Sequence, residues 1–132
     1  KTKSTVKSGM LILGDIGNMP VGTGTVDRVI SNCVINLTAD KETAFAEIYR
    51  VLRPGGRFAI ADIVSTDPLP DEVRKDPKLW CGCVAGALPV GEYLGHIAKA
   101  GFRDVSVVSR RSDTSCDGSG LGLLSITVTG TK

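Results

Sequence analysis

The alternation of apolar and polar positions predicts seven elements, in the order short β, β, α, β, α, β, β. Leu11-Ile12-Leu13 is a short apolar run closed by Gly14-Asp15 and predicts a brief strand. Gly14 to Thr25 holds four glycines and one proline and predicts a loop. Val26 to Leu37, VDRVISNCVINL, is rich in β-branched residues and nearly unbroken in its apolar character. Such a run predicts a strand covered on both faces, as in the parallel sheet of an α/β protein. Thr38 then offers a hydroxyl to an orphan N–H of a first helical turn. Phe45, Ile48, Tyr49 and Leu52 recur at helical spacing, with Glu42, Glu47 and Arg50 on the wet side. Arg53-Pro54-Gly55-Gly56 stops that helix, and Arg57 to Val64, RFAIADIV, predicts a second buried strand.

Farther along, Asp71 to Lys78 predicts a charged helical turn broken by Pro77, and Leu79 to Leu88 is small and apolar. Gly91 to Ala100 predicts a helix that turns Tyr93, Leu94 and Ile97 inward and ends at Gly101. Val105 to Val108 is a third strand, Arg110 to Gly122 a polar, glycine-rich hairpin loop, and Leu123 to Thr129 a closing strand with clean alternation. The chain holds no internal repeat and no low-complexity tract.

A length of 132 residues gives room for a single domain, 1–132. Sixteen basic against fourteen acidic side chains leave +2, a balance that predicts neither nucleic acid nor an anionic membrane as partner. With 42% hydrophobic residues the chain can bury a core. No apolar run approaches the roughly 18 residues of a membrane span. Lys1 to Met10 is basic and polar without the apolar stretch of a secretory signal, so a soluble cytoplasmic protein is expected.

Four cysteines, Cys33, Cys81, Cys83 and Cys116, are then expected as reduced thiols. Cys81 and Cys83 are separated by one residue, closer than the about two to four residues between paired zinc ligands. The single histidine, His96, excludes a His-rich metal site and reads as a partly exposed surface residue. On composition alone a lone cysteine is a small buried hydrophobe. Trp80 reads as a packing anchor, and Asp62, at the end of its strand, could line a site without an assigned proton-transfer role.

Val26-Asp27-Arg28-Val29-Ile30-Ser31 before a helix, Leu52-Arg53-Pro54-Gly55-Gly56 before a strand, and Ala100-Gly101-Phe102 before a terminal hairpin together resemble the second half of class I S-adenosylmethionine-dependent methyltransferases. Ser31-Asn32-Cys33-Val34-Ile35-Asn36-Leu37 and the segment Leu79 to Leu88, LWCGCVAGAL, narrow the resemblance to arsenite methyltransferases. It covers about Leu13 to Val128. The fold this resemblance implies is α/β, a partial Rossmann-like sheet lacking its first strands, mostly parallel with a C-terminal antiparallel hairpin. Carried over residue by residue, Cys33 and Cys83 become ligands of trivalent arsenic, while the roles of Cys81 and Cys116 stay open. A soft, thiophilic arsenic centre suits thiolates better than oxygen or imidazole. Asp15 and Ile16 resemble the adenine contact of the cofactor S-adenosylmethionine, and Ser31 and Asn32 the end of the neighbouring strand; no residue is assigned as catalytic acid, base or metal ligand. Asp15 as a simple turn residue stands beside that reading.

The family's glycine-rich cofactor loop and ribose-binding acid have no counterpart here. Gly22-Thr23-Gly24 opens no helix, and Gly118-Ser119-Gly120-Leu121-Gly122 lies in a hairpin loop, so both read as turns. The expectation is a truncated arsenite methyltransferase-like domain that begins near the family's third strand, binds the cofactor weakly alone, and is inactive without an N-terminal half. Two alternatives stand beside it. One is a non-catalytic module, a homodimer paired through the open edge of strand 26–35. The other is a methyltransferase remnant for another small substrate with structural cysteines.

Overall fold

A computed structural model describes residues 9, 11–38, 40–66, 71–75, 87–112 and 123–132. Its elements are strand β1 (Val26–Asn32), a 3-10 turn (Ile35–Leu37), helix α1 (Lys41–Val51), strand β2 (Leu52–Ser65), the single turn α2 (Asp71–Arg74), helix α3 (Val90–Ala100), and strands β3 (Arg103–Ser112) and β4 (Leu123–Thr131). One sheet holds the strands in the order β1-β2-β4-β3. β1 pairs parallel with β2, and β4 pairs antiparallel with both β2 and β3. Three strands therefore run one way and β4 runs against them, the mostly parallel α/β sheet with a terminal hairpin that the sequence predicts.

Both helices pack on one face of this sheet and on each other. The core is built from Phe45 and Ile48 of α1, Tyr93 and Ile97 of α3, and Phe58 and Ile60 of β2, joined by Ile126 and Val128 of β4. Phe45 and Tyr93 meet edge to face at 5.5 Å between ring centroids, and Phe58 meets Phe102 at 4.6 Å, an arrangement that suits aromatic quadrupoles. α3 stops at Gly101, whose φ of 108° lies in the left-handed region where a side chain is strained.

Several expectations are corrected. The cap of α1 is Asp40, not Thr38: the Asp40 carboxylate accepts the Thr43 N–H at 3.0 Å and the Thr43 hydroxyl at 2.6 Å. These bonds lower its pKa below the ordinary carboxylate value. The Thr38 hydroxyl instead accepts the Asp40 N–H at 3.3 Å. Leu11 to Leu13 form no strand and stand in solvent. The run from Val26 to Leu37 is not one strand, because Cys33 turns left-handed after Asn32 and Ile35–Leu37 closes into a 3-10 turn. Among the described residues that strand is not covered on both faces. β1 lies at the sheet edge, and Ile30 is 83% exposed.

The hairpin loop after Ser112, Pro77 with the segment up to Gly86, and Lys1–Ser8 with Met10 fall outside the described residues. Among the described residues no helix is long and apolar enough to cross a membrane.

Candidate functional site

Ligands of open α/β sheets bind beyond the carboxyl ends of the parallel strands. Here the chain leaves β1 through Cys33, a half-buried residue with φ of 62°. A non-glycine residue in that conformation costs on the order of 1–2 kcal/mol, so its surroundings must impose it. They do so from β2. The Cys33 N–H donates to the Ala61 carbonyl at 2.7 Å, and the buried Asn36 amide donates to the Ile63 carbonyl at 2.6 Å. The turn that presents the Cys33 thiol is thus bonded along the end of its neighbouring strand.

Behind this turn lies a polar cluster inside the core. Asp62 is 2% exposed, and its Oδ2 accepts the Tyr93 hydroxyl of α3 at 2.6 Å. Burial pushes the Asp62 carboxyl up to about 6, against the opposing pull of the Tyr93 hydroxyl, the Asn36 N–H and the Lys41 ammonium. Tyr93 is driven well above its ordinary value, first by burial and then by the Asp62 charge. Lys41, also buried, donates to the Thr38 carbonyl at 3.1 Å. The sequence assigns Asp62 no role and predicts Tyr93 only as an inward aromatic. The one available signal is a carboxylate inside the otherwise apolar run Phe58 to Val64.

Asp15 and Ile16 sit in a tight turn beside this end of the sheet. The Asp15 carboxylate accepts the Gly17 N–H at 2.8 Å, and its carbonyl accepts the Asn18 N–H at 2.9 Å. Asp15 therefore does close a turn, yet it remains exposed. Together with Gly14 and Ile16 it faces Val34, Leu37 and Thr38 across a cavity of about 520 Å³. That size lies within the ~300–1,000 Å³ of small-molecule sites. Ser31 and Asn32 do not line this cavity. Ser31 Oγ is buried without a hydrogen-bond partner among the described residues, and Asn32 is exposed.

An exposed carboxylate and a half-buried isoleucine on one wall, with Val34, Leu37 and Thr38 on the other, fit the adenine end of S-adenosylmethionine. Cys83, with Cys81, Trp80 and Cys116, lies outside the described residues. His96 is half-buried on α3, and among the described residues no cluster of His, Cys, Asp and Glu could hold a metal ion.

A family model described as a methyltransferase domain matches residues 1–106. The chain is 48% identical to the arsenite methyltransferase of Halobacterium salinarum over 102 residues, 77% of this chain and 26% of that protein. It is 39% identical to the human arsenite methyltransferase over 87 residues, 66% of this chain and 23% of the relative. The chain thus spans roughly a quarter of the length of these relatives. Among solved structures, an arsenic(III) S-adenosylmethionine methyltransferase from Chlamydomonas reinhardtii superposes with a TM-score of 0.73 at 33% identity, covering 89% of this chain and 42% of that one.

Proposed function

This chain belongs to the methyltransferase domain family, and from that premise we propose that it supplies the arsenic-holding part of an S-adenosylmethionine-dependent arsenite methyltransferase. The observation that carries the proposal is Cys33, held left-handed at the carboxyl end of β1, immediately before Val34 in the wall of the Asp15–Ile16 cavity. Cys33 and Cys83 bind trivalent arsenic as thiolates, each replacing a hydroxide that leaves as water with the thiol proton. Arsenic keeps its lone pair in that complex. Asp15 and Ile16 receive the adenine, and Ser31 and Asn32 flank the strand end. S-adenosylmethionine, when bound, supplies an electrophilic sulfonium methyl group. The chain's own task is then to place the arsenic lone pair in line with that methyl, which needs orientation rather than a strong base.

The 132 residues contain no glycine-rich strand–loop–helix, so affinity for the cofactor is weak in this chain alone and turnover needs that loop from elsewhere. Thiolate chemistry of this kind requires a reducing compartment, which favours the cytoplasm. A second reading, a non-catalytic homodimer, is favoured by the open edge of β1 and the exposure of Ile30.

Calorimetric titration of the reduced protein with phenylarsine oxide tests the main reading. Tight binding that is lost in both Cys33→Ser and Cys83→Ser is expected. Binding that survives either substitution removes that cysteine from the site, and no binding to the unaltered chain overturns the arsenic assignment. Sedimentation at micromolar concentration tests the dimer, which a monomer would exclude.

A further inference from the structure

The loop between Asp15 and Thr25 belongs to neither helix nor sheet, yet it forms one wall of the cavity just described. Its attachment to the rest of the fold runs largely through two residues of α1. Glu47, whose side chain is 13% exposed, accepts the Met19 N–H on Oε1 at 2.7 Å. The same carboxylate takes a forked pair of bonds from Arg50, Nε to Oε2 at 2.5 Å and Nη2 to Oε1 at 3.0 Å. Arg50 then reaches back to the loop, with Nη2 donating to the Met19 carbonyl and Nη1 to the Thr23 hydroxyl, each at 3.0 Å. Both backbone groups of Met19 are therefore satisfied by one Glu–Arg unit. Two loop amides complete the attachment by capping the last turn of α1: Gly24 N–H to the Arg50 carbonyl at 2.9 Å and Thr25 N–H to the Val51 carbonyl at 3.0 Å.

We propose that Glu47 and Arg50 are positioning residues for the adenosine-binding wall, holding the Asp15–Ile16 turn at a fixed distance from Val34, Leu37 and Thr38. This rests on the reading of that cavity as the adenine site. The physical case is one of pre-organisation. A glycine-rich loop left free would have to be ordered by the ligand, and the ligand's affinity would fall by that cost. A charge-assisted, forked carboxylate–guanidinium pair is among the strongest side-chain ties available, and its planar geometry cannot be reproduced by an ammonium. Ile16 and Met19, which pack against the core, fix the loop's depth, while the Glu–Arg unit fixes its direction.

The test uses the whole chain and nuclear magnetic resonance, which reads weak binding. Adenosine is titrated to millimolar concentration while the amide shifts of residues 15–18 and 34–38 are followed. The unaltered chain is expected to show saturable shifts at both segments, and Arg50→Ala to weaken them about tenfold or more. Arg50→Lys, which keeps the charge and loses the fork, should behave like Arg50→Ala. Phenylarsine oxide affinity should stay unchanged in both variants, whereas general unfolding would lower it too. Amide exchange at Met19 and Gly24 should accelerate in the variants while the β2–β4 amides stay protected. Equal adenosine affinity in Arg50→Ala and the unaltered chain overturns the positioning role and leaves the adenine reading intact. No adenosine response in the unaltered chain overturns both, and unchanged exchange at Met19 overturns the tie itself.

Discussion

The two faces of the sheet are built from the same strands and could hardly differ more. Toward the helices, β2 presents Phe58, Ile60, Asp62 and Val64, all buried, and β4 adds Ile126 and Val128. Away from them, β1 and β2 set Arg28 opposite Arg57 in direct register, with Ile30 almost bare and Ala59 beside them. Two like charges facing each other across a ladder oppose strand pairing, and a bare isoleucine adds no burial. The main apolar cluster therefore lies on the helix side, and the opposite face buries only Ile63, Ser65 and Leu123 near the carboxyl end of β2. That cluster is made by α1, which follows β1 in sequence, and by α3, which leads into β3.

Substitutions on the two faces should separate accordingly. The largest effect is expected from Phe45→Ala, which empties the centre of the covered face and should cost about 3–5 kcal/mol in urea unfolding. A cost under about 1 kcal/mol would mean the core is not where the packing places it. Asp62→Asn comes next and is read as a pH dependence. The folded carboxyl titrates near 6 against an ordinary 3.8, so its contribution to stability is complete below about pH 4 and is lost as pH rises through 6. The amide still accepts the Tyr93 hydroxyl but carries no charge to bury. The variant should flatten the fall in unfolding free energy between pH 4 and 7.5, worth up to roughly 3 kcal/mol. Parallel pH curves for the two proteins would sink this account.

Gly130→Ala is a smaller perturbation of the same core. A Cβ there would press into the Phe58 ring, and overpacking of this kind costs roughly 1–3 kcal/mol. Unchanged thermal midpoints would show that the ring can step aside. At the bottom of the scale, Ile30→Thr on the bare face should change stability by less than about 0.5 kcal/mol. A loss several times larger would reveal that something covers this face in solution.

The same contrast explains what could be read from sequence. α1, α3, β2 and the closing hairpin follow from periodicity because their partners lie within the chain. β1 misleads for the opposite reason: Val29 and Ile30 carry the composition of a strand enclosed on two sides, and only one side meets described residues. Leu11 to Leu13 mislead in the same way, apolar yet unpaired. At the site, Cys33 and the Asp15–Ile16 turn were legible through a family resemblance, and the cavity that unites the turn with Val34 was not. The Asp62–Tyr93 bond was beyond reach because it joins residues 31 positions apart, and no local pattern encodes such a meeting.

The placement of β4 has a consequence for how the chain is born. β3 is made before β4 yet bonds to no other strand among the described residues, and β4 fills the gap between β2 and β3. As the chain leaves a ribosome, β1, α1 and β2 can dock early, while β3 waits with its ladder groups unmet. Only the arrival of Leu123–Thr131 closes the sheet, and it does so at once along two ladders. Lys132 then ties the end of that strand to the opening of β2, its N–H to the Gly56 carbonyl at 2.8 Å and its ammonium to the Leu52 carbonyl at 2.7 Å. Long-range closures of this kind are slow steps in folding. A nascent chain halted before Leu123 would thus carry β3 as an open, aggregation-prone edge, and folding would be completed by the strand that is synthesised last of the four.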